Sequence, residues 1–199
     1  MLASIAFVIA AYLLGSVSFA VVASKLFGLP DPHSYGSGNP GATNVLRTGN
    51  KLAAILTLAG DGAKGWLAVF LAQTYGSAAG VAEWTMPAVV LAVFVGHVFP
   101  VFHGFAGGKG VATAAGIVLA LSLPLFAALA VIWLVMAVGF RISSLAALTS
   151  IALLPFGAFY TFGNSATAWA ILVVALLLCW RHKSNIRQLR EGRERTIGR

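Results

Sequence analysis

Seven apolar stretches occupy most of this 199-residue chain and leave no room for a separate soluble domain. Hydrophobic residues make up 59% of the sequence and charged residues only 9%, whereas a soluble domain carries about 25% charge. An apolar run of about 20 residues can cross a bilayer as a helix. The runs lie at residues 2–24, 52–74, 86–102, 111–122, 125–139, 145–162 and 166–180. This pattern predicts an all-α, polytopic integral membrane protein with a single domain over residues 1–199.

The distribution of basic residues decides between six and seven membrane-spanning helices. Because Pro124 can bend a helix, residues 111–139 could form one kinked helix instead of two. With seven helices, all Lys and Arg residues except Lys64 fall on one side of the membrane, whereas with six, Arg141 and the C-terminal tail cross over. Cytoplasmic segments are enriched in Lys and Arg. The sequence therefore predicts seven transmembrane helices, with the N-terminus outside and the C-terminus in the cytoplasm.

The C-terminal tail and the cysteine content exclude two other classes of protein. Residues 181–199 hold seven Lys or Arg residues against two Glu, and such a tail after an apolar helix indicates an orientation signal that contacts anionic lipid head groups. No nucleic acid partner is expected, because the basic residues are not interleaved with aromatic ones. Cys179 alone cannot form an internal disulfide, and we expect it to be a buried, inert thiol.

The longest polar segment, residues 25–51, contains Gly-Ser-Gly-Asn-Pro-Gly-Ala-Thr-Asn-Val-Leu-Arg at positions 36–47. Asn39 followed by Pro40 is typical of a helix N-cap and first helical residue. The glycines let backbone N–H groups approach a ligand, and N–H groups at a helix start attract anions. Since the guanidinium of Arg47 can bind a phosphate through two hydrogen bonds, the segment is a candidate phosphate-binding loop. The alternative is an interfacial loop whose glycines form turns.

A second glycine-rich motif, Gly-Gly-Lys-Gly at positions 107–110, precedes the fourth run. Its small residues leave the backbone accessible and Lys109 adds a positive charge, so the motif predicts a second phosphate contact. It is not a Walker A loop, because His103 and Gly110 stand where that loop needs a glycine and a Ser or Thr. The alternative is a tight turn whose lysine extends towards the lipid head groups.

The third motif follows the last run. Its residues His182, Asn185 and Leu189 are spaced by three and four positions. This spacing places them on one face of a helix that continues out of the membrane, so an imidazole and an amide can point at one ligand. The predicted topology brings them to the same side of the membrane as the other two motifs.

Two charged residues lie within the second apolar run. Asp61 and Lys64 are three positions apart, so they share a helix face and can pair. Charges inside a span are costly and usually face the interior of the helix bundle. The sequence leaves open whether this pair is functional or a structural ion pair that joins helices.

Together these motifs resemble a known family. Residues 36–47, Gly96-His97 leading to residues 107–113, and residues 182–194 are similar to the three motifs of the bacterial acyl-phosphate:glycerol-3-phosphate acyltransferases, the PlsY family, as is the segment 60–65. The resemblance implies a multi-pass enzyme of the bacterial inner membrane with its active site on the cytoplasmic side. It would move a fatty acyl group from acyl phosphate to the 1-position of glycerol 3-phosphate, yielding lysophosphatidate and inorganic phosphate. We expect no cofactor or metal, and a monomer surrounded by membrane lipids.

The resemblance also implies which residues meet the substrates. The catalytic candidates are Ser37, Arg47, Lys109, His182 and Asn185. The candidate substrate-binding residues are Gly107, Gly108 and Gly110, which would line a phosphate site, with Thr43, Asn44 and Lys64. Whether Thr43, Asn44, Lys64 and Ser144 contact substrate stays open at this point. The third motif departs from the family at Gln188, where a basic residue is usual, and Arg187 does not replace it because a helix turns about 100° per residue.

The residues leave two functions to compare. Acyl phosphate is a mixed anhydride, so an acyltransferase can act by positioning and charge stabilisation, without an acyl-enzyme. The alternative is a transporter for a small organic phosphate, which would also use charges within its spans and helices broken by glycine. Such a transporter usually has paired repeats, and the sequence shows none.

Overall fold

The computed structural model describes residues 1–197. These residues form α-helices, one 3₁₀ turn and no strand, so the all-α prediction is confirmed. The helices are grouped in two compact units, Met1–Leu121 and Ser122–Arg199. The single domain expected over the whole chain stays a prediction.

The first unit contains six helices and carries the first two motifs. They are α1 Leu2–Gly15, α2 Phe19–Leu26, α3 Ala42–Leu46, α4 Lys51–Tyr75, α5 Thr85–Val98 and α6 Val111–Leu121, with the 3₁₀ turn at Val101–His103 after α5. Helix α1 packs on α5, and α4 packs on α6, α2 and α3. The second apolar run therefore forms the central helix of this unit.

Glycines let two helix pairs of the first unit approach backbone to backbone. A Cβ atom at Gly15 of α1 would overlap the Val93 carbonyl of α5, and one at Gly96 of α5 would overlap the Tyr12 carbonyl of α1. The α4–α6 pair is built in the same way, because a Cβ atom at Gly65 or Gly116 would overlap a carbonyl of the opposite helix. Small residues at helix contacts are typical of membrane proteins, where close packing drives association.

The first apolar run is not one helix, as predicted, but two that differ in direction by 44°. The break follows Gly15, and Ser18 then starts α2 as an N-cap whose hydroxyl accepts from the Val21 N–H. The Val17 carbonyl lies in this break and accepts a hydrogen bond from Lys64 Nζ at 2.6 Å. The lysine thus satisfies a half-buried backbone carbonyl at the break.

The second unit contains four helices: α7 Leu123–Phe140, α8 Ser143–Phe162, α9 Ala166–Arg181 and α10 Lys183–Arg190. The alternative of one kinked helix over residues 111–139 is wrong, because Ser122 is extended (φ −158°, ψ 106°) and separates α6 from α7. Its hydroxyl accepts from the Leu125 N–H, and Pro124 lies in the first turn of α7, where a proline costs no hydrogen bond. Helix α8 packs on both α7 and α9.

Helix length and composition establish a multi-pass membrane protein but not seven spans. Four segments are long and apolar enough to cross a bilayer: α4, α5 with its 3₁₀ turn, α7 and α8. Counting the bent pairs α1–α2 and α9–α10 as one span each raises the number to six. Helix α6 has 11 residues, which at about 1.5 Å each is shorter than the hydrocarbon core. The seventh span and the orientation of the termini stay predictions.

The expectation of a buried cysteine is wrong. Cys179 is exposed on α9, since that helix buries a different face, which carries Ile171, Val174 and Leu178. The apolar run alone could not indicate which side of the helix faces the other helices.

Candidate active site

Asn44 gathers the polar side chains of the first motif around one amide. Its Oδ1 accepts hydrogen bonds from the Ser37 N–H at 2.9 Å, the Ser37 hydroxyl at 3.2 Å and Arg47 Nη1 at 3.1 Å. Its Nδ2 donates to the Pro32 carbonyl at 2.9 Å and the Tyr35 carbonyl at 3.2 Å. Both amide protons are therefore engaged. Asn44 is almost completely buried, and it fixes the exposed Ser37 and Arg47 next to each other.

The backbone of the first loop differs from the predicted helix cap. Helix α3 begins at Ala42 with Gly41 as its N-cap, so the expected cap at Asn39 and helix start at Pro40 are wrong. The chain instead turns at Gly36, where φ is +61° and a Cβ atom would overlap Asn44 Oδ1. Thr43 lies exposed in the first turn of α3. The glycine at position 36 thus makes room for the Asn44 amide.

The second motif, residues 107–110, forms a turn whose glycines pack against the end of α5. A Cβ atom at Gly107 would overlap the His97 carbonyl, and one at Gly108 would overlap the His97 ring. Gly110 has φ +95° and lies against the Phe94 ring. Close packing thus explains all three glycines, while their contact with phosphate stays a prediction. Helix α6 begins directly after this turn, and the Lys109 side chain between the glycines is partly exposed.

The first two motifs lie side by side in the first unit. His33 Nε2 is 3.0 Å from the carbonyl oxygen of Ala106, which precedes the glycine turn. On the other side of the loop, a Cβ atom at Gly108 would lie 3.0 Å from the Pro40 carbonyl oxygen. The structure therefore brings the loop that carries Arg47 against the turn that carries Lys109.

Asp61 and Lys64 form the ion pair that their spacing predicts. Lys64 Nζ lies 2.9 Å from Asp61 Oδ1, and both side chains are buried. His97 Nδ1 lies 3.6 Å from the same carboxylate oxygen. Since the Lys64 ammonium also donates to Val17, it joins α4 to the break between α1 and α2. The structural interpretation of the pair is supported, while substrate contact by Lys64 stays a prediction.

In the second unit, His182 lies at the bend between α9 and α10. The two helices differ in direction by 55°, so the third motif does not continue the last helix straight, as predicted. His182 is buried, and its Nδ1 donates to the Leu178 carbonyl at 2.8 Å. This hydrogen bond fixes the proton of the neutral ring on Nδ1 and makes Nε2 the basic nitrogen.

Glu194 is a residue of the third motif to which the sequence analysis assigned no role. Its Oε1 accepts from the Ser144 hydroxyl and from Asn185 Nδ2, each at 2.7 Å. The tail also reaches the turn between α7 and α8 through a hydrogen bond from the Ile197 N–H to the carbonyl of Arg141, the C-cap of α7. Ser144 and Asn185 are thus joined through one carboxylate. No local signal indicated this, because Ser144 and Glu194 are 50 positions apart.

The exposed side of α10 carries the position where the sequence departs from the family pattern. Gln188 and Arg187 both line an open surface depression, with Glu191, Arg193 and Arg195. Arg187 and two further arginines thus supply basic side chains around Gln188. Among residues 1–197 there is no group of three or more His, Cys, Asp and Glu side chains placed to hold a metal ion.

The fold and these loops define a polytopic, all-helical membrane protein with cationic and glycine-rich motifs at its polar segments. The family model described as glycerol-3-phosphate acyltransferase matches residues 5–192. Relatives named glycerol-3-phosphate acyltransferase include one from Cupriavidus taiwanensis, 59% identical over 99% of this chain and 98% of its own length. Another, from Neisseria meningitidis serogroup C, is 55% identical over 98% of each chain.

Solved structures agree with this match. Two crystal structures of PlsY (YgiH), an integral membrane glycerol 3-phosphate acyltransferase, are similar over 98% of this chain and 96% of theirs. The glycerol 3-phosphate form has a TM-score of 0.90 at 37% identity, and the lysophosphatidic acid form 0.88 at 36%. The chain belongs to the glycerol-3-phosphate acyltransferase family, and the resemblance seen in its motifs is confirmed. It is an integral membrane acyltransferase.

Proposed function

We propose that this protein transfers a fatty acyl group from acyl phosphate to the 1-hydroxyl of glycerol 3-phosphate, as a step of phospholipid synthesis. The products are lysophosphatidate and inorganic phosphate. The observation that supports this most is the cluster of Ser37, Arg47 and Asn44 against the turn of Lys109, in a family named for this acceptor. Transport of an organic phosphate is not retained, because the relatives and solved structures are acyltransferases.

Arg47 and Lys109 bind phosphate oxygens in this proposal, because a guanidinium and an ammonium are the cationic groups that the first two motifs offer. Ser37, His182 and Asn185 orient glycerol 3-phosphate. The 1-hydroxyl oxygen forms a bond to the acyl carbonyl carbon, and the bond from that carbon to the phosphate oxygen breaks. The hydroxyl proton leaves with the released phosphate. Positioning and charge stabilisation then supply the rate enhancement.

The contacts of Ser37 favour direct acyl transfer to glycerol 3-phosphate over a mechanism in which Ser37 is acylated first. Its hydroxyl donates to the Asn44 amide oxygen at 3.2 Å, and an amide oxygen is not a base that could take the hydroxyl proton. A serine nucleophile needs such a base within hydrogen-bond distance. Mixing the enzyme with acyl phosphate alone is therefore expected to leave no acylated protein, which intact-mass spectrometry measures directly.

The remaining candidates have supporting roles in the proposal. Asn44 positions Ser37 and Arg47, because both of its amide protons are used within the loop. Thr43 is exposed beside them and binds substrate. The backbone of Gly107, Gly108 and Gly110 lines the phosphate site, and Lys64 adds its charge from α4.

We also propose the predicted topology: seven spans in the bacterial inner membrane, the N-terminus outside, and the active site on the cytoplasmic side. It is supported by the one-sided distribution of Lys and Arg. The protein acts as a monomer in contact with membrane lipids. Single cysteines at positions 47, 109 and 182, in a background with Cys179 replaced by Ala, should all be labelled from the cytoplasmic side. Labelling of any of them from the outside would refute this topology.

Product formation by the purified protein tests the function. Incubation with acyl phosphate and glycerol 3-phosphate should release inorganic phosphate and an equal amount of lysophosphatidate. Arg47→Ala and Lys109→Ala should each lower the rate by about 100-fold or more, as removal of a charge-stabilising donor does. Lys51→Ala, at the exposed start of α4, is the matched control and should stay within about twofold. Near-normal turnover by Arg47→Ala and Lys109→Ala, or equal rates with acyl-CoA as donor, would contradict the assignment.

A further inference from the structure

The imidazole of His33 lies between two hydrogen-bond acceptors. Its Nδ1 is 2.7 Å from Asp31 Oδ1, and its Nε2 is 3.0 Å from the Ala106 carbonyl oxygen. We use the name His33 bridge for these three residues. A neutral imidazole carries one N–H and can donate to one of these oxygens, whereas the protonated ring donates to both. The complete bridge therefore requires the imidazolium.

The acceptor at Asp31 is a carboxylate rather than a carboxylic acid. The backbone N–H and the ring of His33 both donate to it and lower the pKa of Asp31. The carboxylate therefore only accepts at neutral pH. A peptide carbonyl such as that of Ala106 has no proton to give either. Neither oxygen can supply the second proton, so it must come from solvent.

The bridge joins the two loops to which the proposed function assigns phosphate binding. Asn44, which holds Arg47, donates to the Pro32 carbonyl, and His33 is the next residue. From His33 the contact passes to Ala106, three positions before Lys109. A short chain of hydrogen bonds thus links the guanidinium of the first motif to the turn that carries the ammonium of the second.

We propose that His33 is a positioning residue, which in its doubly protonated form ties the phosphate-binding loop of the first motif to the turn of Lys109. It touches no substrate and acts through Ala106 and Pro32. The inference rests on the proposed function for its kinetic readout. Acyl transfer therefore has a component that increases as the pH falls, because only the doubly protonated ring completes the bridge.

Other titratable and charged groups near the bridge also interact with the charge of the His33 ring. His103 at the end of the 3₁₀ turn, Lys25 at the end of α2, and Asp31 interact electrostatically at this corner, with Lys64 contributing from α4. The phosphates of the substrates also change protonation near pH ~6. His33→Arg places a permanent cation at position 33 and retains all of these groups. Dividing the native kcat/KM by that of His33→Arg therefore removes their contribution from the pH profile.

The test measures kcat and KM for glycerol 3-phosphate from pH 5.5 to 8.5 in the native protein, His33→Arg and His33→Ala. At pH 6, His33→Ala should lower kcat/KM by roughly three- to tenfold, the effect of one partly exposed charged hydrogen bond, mainly through KM. His33→Arg should restore most of it. The ratio of native to His33→Arg kcat/KM should fall about threefold between pH 5.5 and 8.5, since the neutral ring loses one of its two hydrogen bonds. Ser34→Ala removes a hydrogen bond to the Asp31 backbone carbonyl but leaves both contacts of the His33 ring in place, so it should follow the native profile.

A native to His33→Arg ratio that is constant over this pH range would overturn the proposal, as would native kinetics in His33→Ala. The melting temperatures of the same proteins in detergent provide a readout that needs no activity. The native protein should lose about 2 °C relative to His33→Arg as the pH rises from 5.5 to 8.5. If the native protein forms no product, the proposed function fails, but the melting temperatures still test the bridge. A difference in melting temperature between native protein and His33→Arg that does not change with pH would refute the bridge.

Discussion

In the first unit a neutral amide, that of Asn44, gathers Ser37 and Arg47 from seven and three positions away. In the second unit a carboxylate, that of Glu194, gathers Asn185 and Ser144 from nine and 50 positions away. The first cluster is therefore a property of one loop. The second exists only when the C-terminal segment returns to the start of α8, so its geometry depends on long-range packing.

The helices of the two units also differ in how much of their surface is buried. In the first unit, 44% of the apolar part of α4 is buried, and glycines bring α1 against α5 and α4 against α6 in backbone contact. In the second unit, only 11% of α7 is buried. The first unit is thus packed closely around its buried charges, while most of the α7 surface stays exposed, as in a helix that faces lipid.

The largest difference should appear when a buried ion pair is compared with an exposed one. Lys64→Met leaves the buried Asp61 carboxylate without its partner and should lower the free energy of unfolding by about 3–5 kcal/mol. In the second unit, Arg193→Gln removes an exposed pair with Glu191 and should cost at most about 1 kcal/mol. Denaturation by SDS in mixed micelles measures both.

The double variant Lys64→Met, Asp61→Asn controls this experiment. It removes both charges and should recover a large part of the loss, because no unpaired charge is then left in the core. Equal costs for Lys64→Met and Arg193→Gln would show that the two units do not differ in this respect.

Glycine packing gives the next largest contrast. Gly116→Ala in α6 would place a methyl group on the Gly62 carbonyl of α4, and such overpacking should cost about 1–3 kcal/mol. Gly139→Ala in α7 meets no atom within 4 Å and should leave stability unchanged or raise it by up to about 1 kcal/mol, because alanine favours a helix more than glycine does. Thermal unfolding in detergent compares the two. A neutral Gly116→Ala would contradict the close α4–α6 contact.

The two hydrogen-bonding clusters should respond differently to isosteric changes. Asn44→Asp keeps the acceptor but loses both donors, and it places a carboxylate oxygen against the Pro32 and Tyr35 carbonyls, so we expect a loss of about 1–2 kcal/mol. Glu194→Gln keeps an oxygen that can accept from Ser144 and Asn185, and should cost less than about 1 kcal/mol. Asn164→Asp, which keeps an exposed acceptor for Trp169, is the matched control. Equal destabilisation by Asn164→Asp and Asn44→Asp would contradict the role of the Asn44 donors in holding the first loop.

The smallest effect concerns pH. The pKa of Asp31 is lowered in the folded protein by the backbone N–H and the ring of His33. A carboxyl group with a lowered folded pKa stabilises the protein above its unfolded pKa, near about 4, and this contribution is lost as the pH falls through the folded value. Because the side chain is largely exposed, the contribution should stay below about 1 kcal/mol. Melting curves of native protein and Asp31→Asn should differ at pH 6 and converge below pH 4; a gap that widens in acid would refute this sign.

The sequence predicted the helices well wherever apolar residues form long runs, because a buried backbone in lipid must satisfy its own hydrogen bonds. It failed at Ser16–Ser18, where the chain bends within the first run, and at His182, where the chain bends just after the last run. At the first bend a distant side chain, Lys64, satisfies a backbone carbonyl that the helix leaves open, and no local pattern indicates such a partner. At the second bend the His182 ring donates to the Leu178 carbonyl one turn earlier. The cap predicted at Asn39 failed for a related reason, since the Asn44 amide organises that loop.

The membrane class, the family and the positions of the charged residues follow from the sequence, because composition and short motifs are local. The contacts of those residues depend on the folded chain: the Val17 carbonyl for Lys64, the His97 ring for Gly108, and the Glu194 carboxylate for Asn185. Each of these contacts joins segments separated by a turn or a whole helix. Its geometry follows from how the helices pack, and packing is a property of the folded chain rather than of any single motif.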